Sequence, residues 1–437
     1  MMSRLHCRTK PFDSGNHMTP IAADDEPNRL PHGFRVLVVH NRYQQRGGED
    51  SVYESEVKLL RDQGVGIETL EFSNAVIQDD PRLVEKFHLA ATTSWSRKSY
   101  RTVKNALRAF RPHVVHFHNT FPLVSPSAYY AAREEGVRVV QTLHNYRLAC
   151  LNGLFFRNGG ICEDCIGRAP LPGIRHGCYR GSRTASAAVG AMLMLHRAVG
   201  TWAKQVDVFI ALTQFARRKF IEHGLPAEKL VVKPNFVEDP GCGPSVGRKR
   251  FLYVGRLAEE KGVRLLLEAA RSMQPPVHLD IIGDGPLADE VRSCASEVDG
   301  VRWLGALPPP QVIEAMKHAV ALIVPSTWYE GFPRVVVEAF AAGTPVIASD
   351  QGGLREIVRD DLGNRFERGS VASLIQAMRS RLDRSLDMPF GTDKVRHEFE
   401  TAYSANACLN DLANIYKPRG GLPACSDKRK PSAGESR

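Results

Sequence analysis

From residue 33 to about 390 the chain alternates short β-branched apolar runs with longer stretches whose apolar residues recur at helical spacing. The run 34–40 reads as a buried strand, followed by the loop 44–49, which carries Gly47 and Gly48, and a helix over 51–64. Runs 114–118 and 137–144 predict two more strands, each ending in polar residues, and 208–212 another, with a helix from about Thr213. The rhythm then restarts, with strands over 250–255, 278–283, 301–304, 321–325 and 345–348, a helix over 262–272 and others between. Strands alternating with helices predict parallel sheets joined by right-handed crossovers. The Pro/Gly-rich stretch 234–247 divides the pattern, giving an α/β chain of two doubly wound domains, about 33–235 and 248–390. Helical sequence over 391–417 is expected to pack back on the first domain. Residues 1–32 and 418–437, polar and rich in Gly and Pro, are expected to be disordered. Ligands of such sheets bind beyond the carboxyl ends of the strands, so the loops there are where chemistry is sought.

Composition alters this picture little: 437 residues, 43% hydrophobic and 24% charged, suit two ordinary globular cores. Charge adds more. Lys and Arg number 58 against 48 Asp and Glu, and the excess of +10 favours phosphates, nucleic acid or an anionic membrane surface as partners. The excess lies in the N-terminal half. Arg97, Lys98, Arg101, Lys104, Arg108 and Arg111 run without an acidic residue, and none occurs between Asp164 and Asp207. The first 32 residues lack the apolar core of a secretory signal, and the uncharged run 184–195 is shorter than the ~20 residues a bilayer span needs. The expected location is therefore the cytosol.

Candidate chemistry gathers around Glu330-Gly331-Phe332-Pro333, with Glu338 further on. Gly331 and Pro333 mark a tight entry into a helix, whose free N–H groups and positive dipole end suit an anion. Glu338, about one turn in, is placed for a ribose hydroxyl, and Glu330, on the loop before, for a sugar. Acidic residues near a helix start also serve as dipole complements. Arg256 and Lys261, five apart between a strand end and a helix start, suit a diphosphate whose charge grows as it leaves. His144 ends a strand facing the expected cleft, and Gly47-Gly48 allow close approach of a ligand to the backbone.

These motifs resemble the retaining family-four glycosyltransferases, with E-x7-E at Glu330–Glu338 followed by Ala, Gly and Thr-Pro-Val-Ile, and G-R-L…K-G at Gly255 to Gly262. The resemblance covers most of residues 33–390. It implies the GT-B fold, two Rossmann-like domains facing a central cleft. It also implies a nucleotide diphosphate sugar as donor and a glycan or polyprenyl-linked acceptor, as in bacterial surface or exopolysaccharide synthesis. By that likeness Glu338 binds ribose and Glu330 the transferred sugar, Gly331 and Phe332 touch sugar and phosphate through their backbone, and Arg256 and Lys261 hold the diphosphate. His144 hydrogen-bonds the donor sugar, and the Gly47-Gly48 loop lies near the donor phosphate. Transfer with retention, catalysis without a metal or other cofactor, and peripheral attachment to the inner face of the cytoplasmic membrane are further implications. Trp95, Tyr100, Leu107 and 192–195, interleaved with cations, are the segments expected to insert. A sugar-nucleotide epimerase on the same fold is an alternative, though no general acid or base set is identified for it. A nucleic-acid-binding protein is another, without any zinc finger, helix-turn-helix or aromatic-basic RNA motif to support it.

One feature departs from the family. Cys150, Cys162, Cys165 and Cys178 form C-x11-C-x2-C-x12-C after the strand over 137–144, a spacing that suits four thiolates on a structural zinc, with His176 as a substitute ligand. Unliganded or redox-active thiols are the competing account.

Overall fold

The structure, a computed structural model, describes residues 30–44, 47–76, 91–244, 247–385 and 392–417. The tails expected to be disordered lie almost wholly outside these. Two six-stranded parallel sheets form the frame. The first contains β1 (Arg35–Arg42), β2 (Gly66–Ser73), β3 (Val114–Phe117), β4 (Arg138–Leu143) and, beyond a small hairpin of β5 (Phe156–Arg157) and β6 (Gly160–Ile161), β7 (Val208–Ala211) and β8 (Leu230–Val232). The second contains β9 (Arg250–Val254), β10 (Leu279–Ile282), β11 (Val301–Gly305), β12 (Ala319–Val324), β13 (Val346–Ser349) and β14 (Gly363–Phe366). The central strands β3, β7, β12 and β13 are buried at every residue, as strands covered by helices on both faces must be.

Strand order decides where a ligand can sit. The first sheet runs β2-β1-β3-β4-β7-β8 and the second β11-β10-β9-β12-β13-β14. The order reverses between β1 and β3 in one sheet and between β9 and β12 in the other. At such switch points the following loops diverge to opposite faces and leave a crevice at the strands' carboxyl ends. Arg256, Lys261 and Glu330 follow β9 and β12, while Gly47 and His118 follow β1 and β3.

Three edge or near-edge strands were not anticipated. The half-buried β2, Gly-Ile-Glu-Thr-Leu-Glu-Phe-Ser, and the short β8 and β14 have too few apolar residues to stand out. The C-terminal region also differs from expectation. Val395, Phe399 and Tyr403 join the core of the second domain, and only the helix Ala405–Tyr416 crosses to the first. There Cys408, Leu412, Ile415 and Tyr416 pack with Val36, Val114 and Ile210. Apolar periodicity alone does not say which of two cores a helix joins.

Beneath the first sheet's carboxyl edge lies a fully buried ion pair, Lys233 Nζ to Glu56 Oε1 at 2.5 Å. Burial by itself raises a carboxyl pKa, but the adjacent Lys233 together with His116 and His144 outweighs it and holds Glu56 below its usual value. Lys233 also donates to Cys408 Sγ at 3.6 Å and so ties the returning helix to the pair. Removing one partner strands a buried charge. Glu56→Ala is expected to cost about 3–5 kcal/mol, read as a lowered urea midpoint; an unchanged midpoint rejects the assignment.

Candidate functional site

The loops after β9 and β12 meet first. Gly262 has φ +69, and a Cβ there would lie 1.8 Å from the Pro325 carbonyl oxygen, so only glycine permits this contact. The contact lays Lys261 beside Glu330. The Lys261 ammonium donates to both carboxylate oxygens, at 2.8 and 3.0 Å, and lies 5.1 Å from the centre of the Trp328 ring. Ser326 Oγ donates to Glu330 Oε1 at 2.6 Å. An ammonium has three N–H groups, so one remains for another acceptor. The Arg256 guanidinium is exposed and has no hydrogen bond or ion pair among the described residues.

The helix Arg334–Ala341 begins immediately beyond, with Pro333 at its N-cap and no side chain capping its first N–H groups. Glu338 is its fifth residue. Burial raises its pKa while Arg334, 3.4 Å away, opposes the rise. Phe332 packs its ring into the core near Tyr403, so its backbone is what faces the crevice. Arg256, Lys261, Glu330, Gly331, Phe332 and Glu338 thus gather around one switch point.

The first domain supplies the facing wall. A Cβ on Gly331 would lie 2.5 Å from the His144 carbonyl oxygen, and Tyr146 Oη donates to the Glu330 carbonyl at 3.3 Å. Elsewhere at the junction, the Glu356 carboxylate accepts from Gln214 and Phe215 N–H at 2.7 and 2.9 Å, capping a first-domain helix from across the boundary. His144 follows β4 directly, and its ring stacks on that of His118. Its Nε2 is 3.1 Å from His118 Nδ1 and so turns into the domain, leaving the backbone carbonyl against Gly331. Both rings line a cavity of about 70 Å³ with Glu49, Asn119, Asn145 and Arg147.

Gly47 caps the helix Gly48–Asp62, and its N–H donates to Asp50 Oδ2 at 2.8 Å. Neither glycine has a positive φ, and a Cβ on Gly48 would meet nothing within 4 Å, so the loop is open there. Glu49, Asn145 and Ser326 had not been singled out. Glu49 accepts from Asn145 at 2.8 Å, and burial raises its pKa. Its place at the end of the Gly-Gly loop was the one available signal.

Four histidines beneath the crevice are held neutral. Burial pushes His144 down to about 3. It also places His116 and His118 well below the usual value, with neighbouring imidazoles adding to the effect. Burial likewise lowers His40, against the opposing pull of Asp50. His116 is bonded on both sides, 2.8 Å each, to Tyr416 Oη and Thr142 Oγ1.

The four cysteines after β4 are unpaired thiols that line one small cavity, whereas His176 is exposed and outside it. The basic helix Arg97–Phe110 is partly neutralised within the fold, since Lys104 binds Glu134 at 2.6 Å and Arg108 binds Glu135 at 2.9 Å. Leu107 and Met192 are core residues and cannot insert into a membrane. Trp95, Met194 and Leu195 remain exposed.

Comparison with known proteins agrees with this fold. Residues 32–235 match the family model "Glycosyl transferase 4-like domain" and residues 242–399 match "Glycosyl transferases group 1". A phosphatidyl-myo-inositol mannosyltransferase of Mycobacterium leprae is 32% identical over 49% of this chain and 60% of its own length. An amylovoran biosynthesis glycosyltransferase of Erwinia amylovora is 25% identical over 48% and 56%. The matched stretches thus span little more than half of these relatives. Among solved structures, a lipopolysaccharide outer core galactosyltransferase superposes with TM-score 0.60 at 17% identity over 88% of this chain and 99% of its own. Anabaena HepE with UDP and glucose gives 0.60 at 16% over 87% and 98%. At these identities the structures report the fold.

The histidines set a pH dependence. In the unfolded chain each takes a proton near 6.5, while the native state cannot bind it until far lower pH, so stability falls as pH drops below about 6.5. Glu56, held low, adds its own loss only below about 4.5. Melting temperature is expected to decline from about pH 6.5 to 5, with a shallower slope in His118→Gln. Equal slopes in the two proteins reject the assignment.

Proposed function

Because this chain belongs to the glycosyl transferases of group 1 and has the two-domain GT-B architecture, we propose that it transfers a sugar from a nucleotide diphosphate sugar to a glycan or lipid-linked acceptor, with retention. The observation that carries this reading is the convergence of Lys261, Glu330, the unpaired Arg256 and an uncapped helix start at one switch point. The solved relative with bound UDP and glucose supports a nucleotide sugar as donor. Relatives named for mannosylation of an inositol lipid and for amylovoran synthesis support an acceptor in bacterial surface or exopolysaccharide assembly.

In this reading Glu338 takes the ribose hydroxyls, and Arg256, the third N–H of Lys261 and the helix start hold the diphosphate. Charge on that diphosphate grows as the sugar–oxygen bond breaks, so these groups bind the transition state more tightly than the ground state. Glu330, fixed by Lys261 and Ser326, orients the sugar. The Gly47-Gly48 loop approaches the donor phosphate, and the His144 ring nitrogen not engaged with His118 hydrogen-bonds the sugar. The leaving phosphate accepts the acceptor proton on the same face, so no carboxylate acts as nucleophile and no metal is required.

Glu338→Ala is expected to raise the donor KM with little change in kcat. Glu330→Ala and His144→Ala are expected to lower kcat by about 10²-fold or more. Nucleoside diphosphate is to be released only when acceptor is present. Unaltered transfer in all three variants, or release of diphosphate without acceptor, rejects the reading.

A lipid-linked acceptor is supported by an apolar recess of about 420 Å³ formed by Leu148, Pro170, Leu193, Met194, Trp202 and Leu225 together with Arg168 and Arg197. It shares Leu148 and Trp202 with the cavity beside His144. Trp95, Leu195 and Leu171, 46%, 51% and 62% exposed, with the exposed cations Arg97, Lys98 and Arg101, form the proposed contact with the cytoplasmic membrane's inner face. Sedimentation with anionic vesicles is expected to be salt-sensitive and to weaken in Trp95→Ser/Leu195→Ser. Equal sedimentation with neutral and anionic vesicles counts against it.

A further inference from the structure

The chain from Asn145 to Ser182 is 38 residues long and holds only a two-residue-per-strand hairpin and the five-residue helix Leu171–Arg175. A segment this long with so little regular structure is held by turn hydrogen bonds and only a small apolar core of its own. It is also conformationally costly. Of the four non-glycine residues with positive φ among the described residues, Phe155, Asn158 and Arg180 lie within it. Such backbone persists only where the surroundings over-determine it.

Its four cysteines supply a means. Cys150 precedes the hairpin, Cys162 and Cys165 flank the turn directly after it, and Cys178 follows the short helix. All four are reduced and line one enclosed cavity with Asn152, Arg157 and Gly173. Gly173 lies so close that a Cβ there would be 2.8 Å from Leu151 Cδ1 and 3.4 Å from Cys165 Sγ. Arg157 lends the cavity a cation. One terminal nitrogen donates to Asp164 at 2.8 Å, and the other, Nη1, is buried without a partner. A buried N–H without an acceptor calls for one, and a thiolate on a metal is such an acceptor.

We propose that these four cysteines bind one zinc ion, which fixes the loop and, through it, the donor-side crevice. Four thiols and Zn²⁺ give a tetrathiolate centre of net charge −2 and release four protons, and Arg157 offsets that charge. Cys150 Sγ now donates to Asn152 Oδ1 at 2.9 Å, and no three of the four sulfurs lie within 4.8 Å of one another, so binding requires more than one of these side chains to move inward. Among the described residues one other group, Glu56, His116 and His118, brings three ligand atoms within 4.8 Å of one another, a closer set than the four sulfurs make here. That group already holds its counter-charge, since Lys233 pairs with Glu56 Oε1 and both nitrogens of His116 are bonded, which leaves Glu56 Oε2 as its one buried atom without a hydrogen bond.

The loop reaches the crevice in two places, at its hairpin tip and at Phe155, and is held to its own domain by Glu163. A Cβ on Gly159, at the hairpin tip, would lie 3.2 Å from Glu259 in the loop that carries Arg256 and Lys261. Phe155 packs on Tyr146, which hydrogen-bonds the Glu330 carbonyl, and also meets Tyr329. Glu163 pairs with Lys219 at 2.9 Å. Losing the ion therefore loosens the wall around Glu330; this consequence for donor affinity rests on the proposed transferase reading, whereas metal binding does not.

The test uses the full chain purified without chelators. Elemental analysis is expected to find about one zinc per chain, and none in Cys162→Ser/Cys165→Ser, while Cys242→Ser, an exposed cysteine outside the cavity, keeps it. Cobalt exchanged into the wild-type protein is expected to give the thiolate charge-transfer and ligand-field bands of a tetrahedral sulfur site, a readout that needs no variant to fold. Wild-type protein with zinc far below one equivalent and no cobalt–thiolate spectrum overturns the proposal. So does a mass two or four protons below the reduced chain, which identifies disulfides. If zinc is present and transfer absent, the metal site stands and the transferase reading falls.

Discussion

A Cβ on residue 262 would stand 1.8 Å from the Pro325 carbonyl oxygen, and on that missing atom the active arrangement of the second domain depends. Because the two loops touch, an ammonium from the β9 loop reaches a carboxylate from the β12 loop. Lys261 and Glu330 then hold each other where neither strand alone would place them. The same device recurs nearby. Gly283 and Gly285 let the β10 loop close on Gly255 and Leu257, and Gly331 lets the second domain approach the carbonyl of His144. Backbone packed on backbone gives a rigid floor, which a site must have if its charges are to be positioned before the reaction.

Electrostatics divides the molecule into two regimes. Beneath the first sheet's edge the histidines are neutral and one lysine–carboxylate pair is buried, so this region contributes shape and stability rather than charge. At the crevice, Arg256 has no ion pair among the described residues and Lys261 keeps one N–H unspent, so the positive potential there remains available to an anion. The overall excess of +10 is a different matter. Part of it, at Lys104 and Arg108, is spent on internal pairs with Glu134 and Glu135, and part faces solvent at Arg97, Lys98 and Arg101.

The cysteine-bearing loop joins the two regimes. It grows out of β4, takes its shape from local packing that includes left-handed residues, and rests its hairpin tip and Phe155 against the second domain. Its sequence shares nothing with the helix–strand rhythm around it.

Apolar periodicity and the Pro/Gly-rich break determined, without coordinates, that the chain forms two doubly wound α/β units, since strands covered on both faces must be continuously apolar. The E-x7-E string and the cations at 256 and 261 stand out for a related reason: glycine, proline and charge at a strand end have few structural uses there. Edge strands such as β2 and β14 were not legible, because a half-buried strand needs no apolar run. Nor was the inward turn of His144, which depends on His118 arriving from a neighbouring strand, or the division of the C-terminal helices between two cores. These are contacts between residues distant in the chain. Local pattern records what a segment can form, and only the packed molecule decides which surface it meets.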